Sequence, residues 1–189
     1  MTDRARPGNV RRPDPGRRDR IVDACLDVIA EHGVAGTSHR RVAAAAGVPL
    51  GSMTYHFDGM DELLHEAFTR FGTSVSDEFE EHLAAAADRE EAVEAVVAII
   101  TEAVFDSPRD LVLTHELYTL AARKPAFRAL TNAWMARSRA ALERHFDPAT
   151  ARMVDALIEG LTIHGALDTE PHRPDVVAEA VRRVTAAGS

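Results

Sequence analysis

Cysteine, lysine and long apolar runs are scarce in this sequence. Cys25 is the only cysteine, so no disulfide can form within the chain. Lys124 is the only lysine, and arginine therefore carries nearly all of the positive charge. No apolar run approaches the ~20 residues of a membrane-spanning helix, and the basic residues 1–20 lack the apolar segment of a secretory signal. These absences argue against a disulfide-stabilised secreted protein or a helical membrane protein, and we expect a cytoplasmic, nucleoid-associated protein.

The sequence also lacks the short motifs that mark common enzymes. It contains no G-x-S-x-G elbow, no H-E-x-x-H pair, no phosphate-binding loop and no dinucleotide fingerprint. The nine histidines are scattered, and no two of them lie four residues apart on one predicted helix. We therefore expect neither catalysis, nor a metal site, nor a cofactor.

Charge is distributed unevenly along the chain. Residues 1–57 carry nine arginines and six acidic residues, a net charge of +3. Residues 58–189 carry thirteen basic and twenty-four acidic residues, a net charge of −11, and the whole chain has a net charge of −8. This pattern is typical of a small anion-binding module on an acidic body, although chance asymmetry explains the charge equally well.

Apolar residues recur with the helical period over almost the whole chain after an Arg- and Pro-rich arm at residues 1–16, and β-branched alternation is nearly absent. We therefore predict an all-α, two-domain protein, with a three-helix helix-turn-helix domain at residues 17–59 and a larger helical domain at residues 60–189. Its nine helices are predicted at about residues 17–32, 38–46, 50–57, 60–86, 88–105, 109–123, 125–146, 148–166 and 174–187.

Three short helices between residues 17 and 57 form the unit of interest. The second and third are separated by about three residues around Gly47, which is the spacing of a helix-turn-helix whose second helix enters a DNA major groove. On spacing alone, an ordinary pair of antiparallel helices is the better explanation. The helix-turn-helix interpretation therefore depends on the residues themselves.

Residues 21–64, IVDACLDVIAEHGVAGTSHRRVAAAAGVPLGSMTYHFDGMDELL, resemble the amino-terminal domain of the TetR family of transcriptional regulators. The shared features are an apolar first helix ending in EHG, a Gly-Thr-Ser turn, the RRVAAAAGV helix, and Tyr-His-Phe before a Leu-rich helix. Beyond Leu64 the resemblance extends only to the number and length of helices. It implies a ligand-responsive, homodimeric regulator, most often a repressor released from a palindromic operator by a small-molecule effector.

The resemblance implies a set of DNA contacts around the second and third helices. A helix amino terminus favours a phosphate, and Gly51 lets the backbone approach DNA closely. Leu50 stands where relatives carry a polar residue, and we expect it to touch a thymine methyl. The predicted contact residues are Thr37, Ser38, Arg40, Arg41, Leu50, Gly51, Ser52, Thr54, Tyr55 and His56.

The resemblance is incomplete at the start of the fourth helix. Relatives usually place a lysine there, whereas this chain has Met60, and one phosphate contact is lost. Arginines of the arm can replace it by following the backbone or entering a minor groove. A tail that takes no part in binding is the equal alternative. The arginines concerned are Arg4, Arg6, Arg11, Arg12, Arg17 and Arg18.

The middle helices are predicted to enclose a cavity for an organic effector. Three of the candidate residues, His115, Tyr118 and Trp134, carry polar groups inside apolar stripes, as expected of a ligand pocket with mostly apolar walls. Plain core packing is the alternative at each position. The predicted lining residues are Phe71, Ile100, Val104, His115, Tyr118, Leu120, Trp134, Met135 and Ser138.

The last two helices carry apolar stripes at helical spacing. In the family that this chain resembles, these helices pair with those of a second copy, and two-fold symmetry places the recognition helices ~34–36 Å apart. The alternative is that the stripes serve only the core of one protomer. The predicted interface residues are Met153, Ala156, Leu157, Gly160, Leu161, His164, Val177, Val181 and Val184.

Two functions are carried forward from the sequence. The first is an effector-responsive transcriptional regulator that binds double-stranded operator DNA as a homodimer. The second is an all-α small-molecule-binding protein or enzyme in which the helix-turn-helix is only structural. Salt-sensitive binding to a palindromic duplex distinguishes the first from the second.

Overall fold

The computed structural model describes residues 14–103, 107–170 and 173–186, with the side chains of residues 102 and 103 excepted. These residues form helices connected by short turns, and no strand occurs among them. The helices are α1 (Arg17–Gly36), α2 (His39–Ala45), α3 (Gly51–His56), α4 (Met60–Ala84), α5 (Arg89–Ala98), α6 (Pro108–Arg123), α7 (Pro125–Leu142), α8 (Pro148–Leu167) and α9 (Pro174–Ala186). The predicted all-α fold class is confirmed.

Local sequence signals explain where most helices begin. The side chains of Ser38, Asp88, Ser107 and Asp147 accept hydrogen bonds from backbone N–H groups in the first turns of α2, α5, α6 and α8. These side chains satisfy donors that have no partner within the helix. Proline occupies the first position of α6, α7, α8 and α9, where its fixed φ suits a helix and no N–H is needed.

Helical geometry in α1 breaks at Gly33, where the sequence predicted the helix to end. Gly33 has φ 67° and ψ 170°, a conformation that is essentially restricted to glycine. The Thr37 hydroxyl then donates a hydrogen bond of 2.8 Å to the Gly33 carbonyl. The residues that follow form one short additional turn, which brings the chain to the start of α2.

Two predicted helices differ from the structure at their carboxyl ends. The helix that begins at Arg89 continues beyond Ala98 as a π-helical segment, Ile99–Ala103. α7 ends at Leu142 rather than near Phe146, because a tight turn follows and directs the Phe146 ring into the core. In the described part of the chain, no helix is long and apolar enough to cross a membrane.

The apolar interior consists of two clusters, which we name the first core and the second core. The first core joins α1, α2, α3, the first half of α4, α6 and the start of α7. The second core joins the end of α4, α5, the end of α7, α8 and α9. The first core therefore continues across the predicted domain boundary at residues 59–60, because α6 packs directly on α1.

Candidate DNA-binding surface and effector cavity

The turn between α2 and α3 has a defined hydrogen-bonded geometry. Gly47 has φ 63°, and its N–H donates to the Ala44 carbonyl at 3.2 Å while the Val48 N–H donates to the Ala43 carbonyl at 2.9 Å. This is a Schellman arrangement, in which a glycine ends the helix. Met53 on α3 is fully buried and fixes that helix against the first core.

The residues that surround α3 on its outer side present a continuous exposed surface. Tyr55 is 83% exposed and Leu50 is 51% exposed, which is unusual for large apolar or aromatic side chains. Thr54 is also exposed, and no atom lies within 4 Å of the position that a Gly51 Cβ would occupy. A large partner can therefore approach the α3 backbone here without meeting the rest of the protomer. We call Arg40, Leu50, Gly51, Thr54 and Tyr55 the recognition surface.

The two adjacent arginines of α2 differ in their contacts. Arg41 donates from its guanidinium to the Gly36 carbonyl, and its backbone N–H donates to the Ser38 hydroxyl at 3.4 Å. These bonds hold the connection between α1 and α2. Arg40 is exposed, and no described residue forms an ion pair or side-chain hydrogen bond with it. Arg40 is therefore the arginine that remains available to a phosphate or a base edge.

Three other predicted contact residues are less accessible than the sequence suggested. Ser52 is only 8% exposed because it lies on the inner side of α3. The Thr37 hydroxyl is already bonded to the Gly33 carbonyl. His56 is half-buried, with its ring edge-on to Tyr55 at a centroid distance of 4.9 Å. Their predicted contacts with DNA stay predictions.

Arginines at the start of α1 bind carboxylates of this chain. Arg17 lies 3.8 Å from Asp14, and Arg18 pairs with Glu62 at 3.6 Å and with Glu66 on α4. The Arg18 guanidinium also lies over the Phe57 ring, 4.8 Å from its centroid. Arg18 therefore ties α1 to α4, whereas Arg17 pairs with a carboxylate just before α1. Both arginines already have a counter-ion. The other four predicted arm contacts, Arg4, Arg6, Arg11 and Arg12, lie outside the described residues.

The charge of the recognition surface follows from the sequence around it. Between His32 and Phe57 the chain contains no aspartate or glutamate, although acidic residues are frequent on both sides of this segment. A phosphate backbone that approaches α2 and α3 therefore meets Arg40, the helix amino termini and neutral side chains rather than carboxylates. The segment is suited to a polyanion although the whole chain is acidic.

Four of the predicted lining residues meet around one small cavity between α4, α6, α7 and α8. They are Tyr118, Trp134, Met135 and Ser138. The cavity has a volume of about 50 Å³, against roughly 300–1,000 Å³ for most ligand pockets. Sequence reasoning missed its other walls, which come from α4 and α8. These additional lining residues are Val75, Phe79, Asp155, Ile158, Glu159 and Thr162.

The remaining predicted lining residues do not border this cavity. Phe71 and Leu120 are buried in the first core, and Ile100 packs against the second. The His115 ring contacts the Leu111 carbonyl of its own helix at 2.7 Å. Val104 lies outside the described residues.

A second cavity, of about 90 Å³, lies on the other side of Trp134. Gly72 and Ser76 of α4 line it, and a Gly72 Cβ would meet no atom within 4 Å. The Ser76 hydroxyl is buried and has no hydrogen-bond partner among the described residues. Trp134 is thus a wall shared by two cavities, and its ring packs edge-on against Phe71 at 6.0 Å.

Two polar side chains of the first cavity, Tyr118 and Asp155, have raised pKa values. Burial raises the pKa of the Tyr118 phenol, and the neighbouring Glu159 carboxylate raises it further. Burial also raises the pKa of Asp155, which the Arg139 guanidinium at 3.5 Å partly offsets. The cavity therefore has two carboxylates, one turn apart on α8, facing aromatic walls.

The predicted interface residues divide into two groups. Met153, Ala156 and His164 of α8 are exposed, and Leu157, Gly160 and Leu161 beside them are partly buried. On α9, Val184 is partly buried, whereas Val177 and Val181 are 1% and 0% exposed. Those two valines already pack inside the protomer, so the accessible part of the predicted interface is mainly on α8.

Two family profiles match the chain. "Bacterial regulatory proteins, tetR family" matches residues 21–67, and "Tetracyclin repressor-like, C-terminal domain" matches residues 87–187. The chain belongs to the TetR family. The first match covers α2, the turn and α3, and the second covers α5 to α9.

Solved structures of TetR-like regulators resemble the chain over almost its full length. The Streptomyces coelicolor A3(2) protein SCO7518, described as a transcriptional regulator, is 62% identical, with a TM-score of 0.86 over 90% of this chain and 99% of that one. The multidrug binding protein EbrR, complexed with imidazole, is 34% identical, with a TM-score of 0.74 over 91% of this chain and 96% of that one.

Among curated proteins the likeness covers a smaller part of the chain. The HTH-type transcriptional repressor KstR2 of Rhodococcus jostii (strain RHA1) is 32% identical over 89 residues, which is 47% of this chain and 44% of that protein. The HTH-type transcriptional regulator PksA of Bacillus subtilis (strain 168) is 39% identical over 61 residues, or 32% of this chain and 30% of that protein. The chain thus matches less than half the length of either relative.

Proposed function

We propose that this TetR-family protein is a homodimeric repressor that binds a palindromic operator and is released from it by a small organic effector. The observation that carries the proposal is the recognition surface: Tyr55 is 83% exposed, Leu50 is 51% exposed, and Arg40 is exposed and unpaired, all within a segment without carboxylates. A helix-turn-helix of this kind places base-reading side chains in the major groove and phosphate contacts on either side. The protein works in the bacterial cytoplasm, at the nucleoid.

A dimer is proposed because one helix-turn-helix buries little surface on DNA. The exposed side chains of α8 would form the patch that meets a second copy, and small residues such as Ala156 and Gly160 would permit its close approach. Two-fold symmetry would then present two recognition surfaces about 34–36 Å apart, one turn of B-DNA.

Release by an effector is proposed from the position of the cavity. It lies between α4 and α6, and both helices also pack in the first core beside α1. An effector changes DNA affinity only if it binds the two conformations unequally. EbrR, which has a related fold, is known in complexes with imidazole, ethidium, proflavin and malachite green, all small organic molecules.

Fluorescence anisotropy with duplexes from upstream of the protein's own gene tests the proposal. We expect tight binding to one duplex that weakens steeply as salt rises, because phosphate contacts release counterions. Arg40→Ala should reduce the slope of log K against log [salt] by about 2 for the dimer, because one phosphate contact is lost in each protomer. Tyr55→Ala should weaken binding about tenfold or more at every salt concentration.

Arg144→Ala is the matched control, since it removes an exposed arginine in the turn that follows α7. It should leave both the affinity and the salt slope unchanged. Equal losses of DNA affinity in all three variants would show only a general effect of charge or stability. That result would contradict the assignment of DNA contacts to the recognition surface. A protein that binds none of the duplexes supports instead an all-α small-molecule-binding protein or enzyme.

A further inference from the structure

The cavity beside Trp134 combines three chemical features on separate helices. Aromatic faces come from Tyr118 on α6 and Trp134 on α7, with ring centroids 6.2 Å apart and planes tilted by 37°. Carboxylates come from Asp155 and Glu159 on α8, four residues apart and therefore on one face of that helix. Apolar side chains complete the walls. Aromatic faces and carboxylates share one preference, because both attract a positive charge.

The charges around the cavity do not cancel. Asp155 has a guanidinium partner, Arg139, at 3.5 Å, and both side chains are about three-quarters buried. Glu159 forms no ion pair with any described residue and faces the Tyr118 phenol instead. A neutral ligand that displaced water here would leave the Glu159 carboxylate desolvated with only the Tyr118 phenol beside it and no counter-ion, which is unfavourable. A cation would supply the missing partner.

The cavity must expand before it can admit an organic ligand, and Trp134 is the wall that it shares with the second cavity. About 50 Å³ accommodates only a few water molecules, each of which needs roughly 10–15 Å³ of cavity volume. The second cavity, of about 90 Å³, also has Trp134 in its wall and is bordered by Gly72 and by Arg137, whose guanidinium is paired with Asp77 and Glu80. The unpartnered Ser76 hydroxyl, 2% exposed, lines that cavity and can accept a hydrogen bond from a ligand. Displacement of one indole ring would join the two cavities.

We propose that the joined cavities bind a flat, monovalent organic cation, with its charge beside Glu159 and its ring system against Tyr118 and Trp134. This inference rests on the proposed function, since it names the chemical class of the effector. It assigns Glu159 the role of ion-pair partner and Trp134 the role of a wall that moves to admit the ligand. Asp155 keeps Arg139 neutralised, so that this guanidinium does not repel the ligand.

Calorimetry on the full-length, DNA-free protein tests the proposal with two isosteric probes. One is the 1-methylquinolinium cation, and the other is uncharged 1-methylnaphthalene. We expect the cation to bind at least about tenfold more tightly. Glu159→Gln should weaken cation binding about tenfold and leave 1-methylnaphthalene binding within about twofold. The emission of Trp134, the only tryptophan, should change on titration with the cation.

Two further variants show whether cation binding depends on the carboxylates of the cavity or on the total charge of the protein. Asp155→Asn leaves Arg139 unpaired beside the cavity and should also weaken cation binding. Glu143→Gln removes one exposed carboxylate that does not line the cavity, and it should change neither affinity. Circular dichroism confirms that each variant is folded.

Equal affinities for the two probes, an unchanged affinity in Glu159→Gln, or binding of neither probe would overturn the cation site. Operator binding is measured separately on the same preparations, so failure of the two proposals can be distinguished. A protein that binds the cation but no operator contradicts the proposed function alone. A protein that binds its operator but fails the probe comparison contradicts the cation site alone.

Discussion

The two cores differ in what they connect. The first core packs the recognition helices together with α6 and the start of α7, so that the DNA-binding end shares its interior with part of the larger domain. The second core packs α5, α8 and α9 with the ends of α4 and α7, and contains no residue of α1, α2 or α3. The proposed boundary between the DNA-binding domain and the larger domain, at residues 59–60, therefore does not coincide with the boundary between the two cores.

The first cavity lies where the two cores meet. Val75 and Trp134 on its walls pack against the first core, and Phe79 and Ile158 on the opposite walls belong to the second. A ligand that enlarges this cavity by pushing apart walls from both clusters would displace the two cores relative to each other. Because α1 is packed in the first core, such a displacement would reach the recognition surface.

Direct contacts between α1 and α6 reinforce this connection. Arg109 of α6 pairs with Asp27 of α1 at 2.9 Å. The Glu116 carboxylate sits so close to Gly33 that a Cβ there would lie 2.6 Å from Glu Oε1. The amino-terminal domain therefore has both apolar and polar attachments to the helix that carries Tyr118.

The largest effect should come from removing one leucine from each core. Leu117→Ala on α6 and Leu142→Ala on α7 each delete a side chain that is at most 1% exposed, and each should lower the free energy of unfolding by about 2–5 kcal/mol. Only Leu117→Ala should reduce amide-hydrogen protection in α1–α3, because only Leu117 belongs to the first core. Hydrogen exchange measures the difference. Equal loss of protection in α1–α3 would show that the two cores are not separate.

A smaller effect is expected from the two glycines with positive φ. Gly33→Ala should cost about 1–3 kcal/mol, because its backbone conformation is nearly restricted to glycine and its new methyl group would meet Glu116. Gly47→Ala should cost about 1–2 kcal/mol from the backbone alone, since no atom lies within 4 Å of the added Cβ.

Denaturant titrations of the single and double variants check this prediction. Glu116→Ala should recover part of the stability lost in Gly33→Ala and none of that lost in Gly47→Ala. If Glu116→Ala restores stability to neither variant, the contact between Glu116 and Gly33 is not what makes Gly33→Ala destabilising.

Much of this architecture was predictable because its signals are local. Pairs such as Ser107-Pro108 and Asp147-Pro148 mark helix starts with a side-chain acceptor and a residue without an N–H, and the structure confirms both. The π-helical segment Ile99–Ala103 was not predictable, since an apolar run does not reveal how many residues form each turn.

The two candidate sites also differ in how far the sequence could predict them. Residues of the recognition surface follow one another closely in sequence, so their proximity needs no knowledge of distant packing. The α8 wall of the cavity is different, because long-range packing decides that Asp155 and Glu159 face Tyr118. The available signal was two carboxylates four residues apart on α8, beside the apolar stripe that was predicted to form the interface, and no role was predicted for these carboxylates.

The smallest expected effect is a difference in the pH dependence of stability between the caps of α8 and α2. The Thr150 hydroxyl and nearby backbone N–H groups hold the pKa of Asp147, the α8 cap, below its ordinary value of 3.8. A carboxyl with a lowered pKa contributes stability above that ordinary value and loses it as the pH falls through the lowered pKa. The Ser38 cap of α2 has no group that titrates there.

Thermal unfolding of wild type and Asp147→Asn from pH 7 to pH 2 checks this prediction. The variant should melt at a lower temperature at neutral pH, and the difference should shrink as the pH falls below about 4. Ser38→Ala should give a difference that does not vary with pH. A constant difference for Asp147→Asn would mean that the carboxylate is not the group that caps α8.

The central claim is that occupation of the cavity between the cores repositions the recognition surfaces of a dimer. Spin labels at the exposed position of Ala45→Cys on α2 test it by electron–electron distance measurement. Burial raises the pKa of the native Cys25 thiol to about 12, so the added cysteine is labelled selectively. We predict one inter-protomer distance distribution in the free protein and a shift of several ångströms with saturating 1-methylquinolinium. A distribution that stays unchanged while calorimetry shows the cation bound, or no inter-label distance at all, would contradict the account.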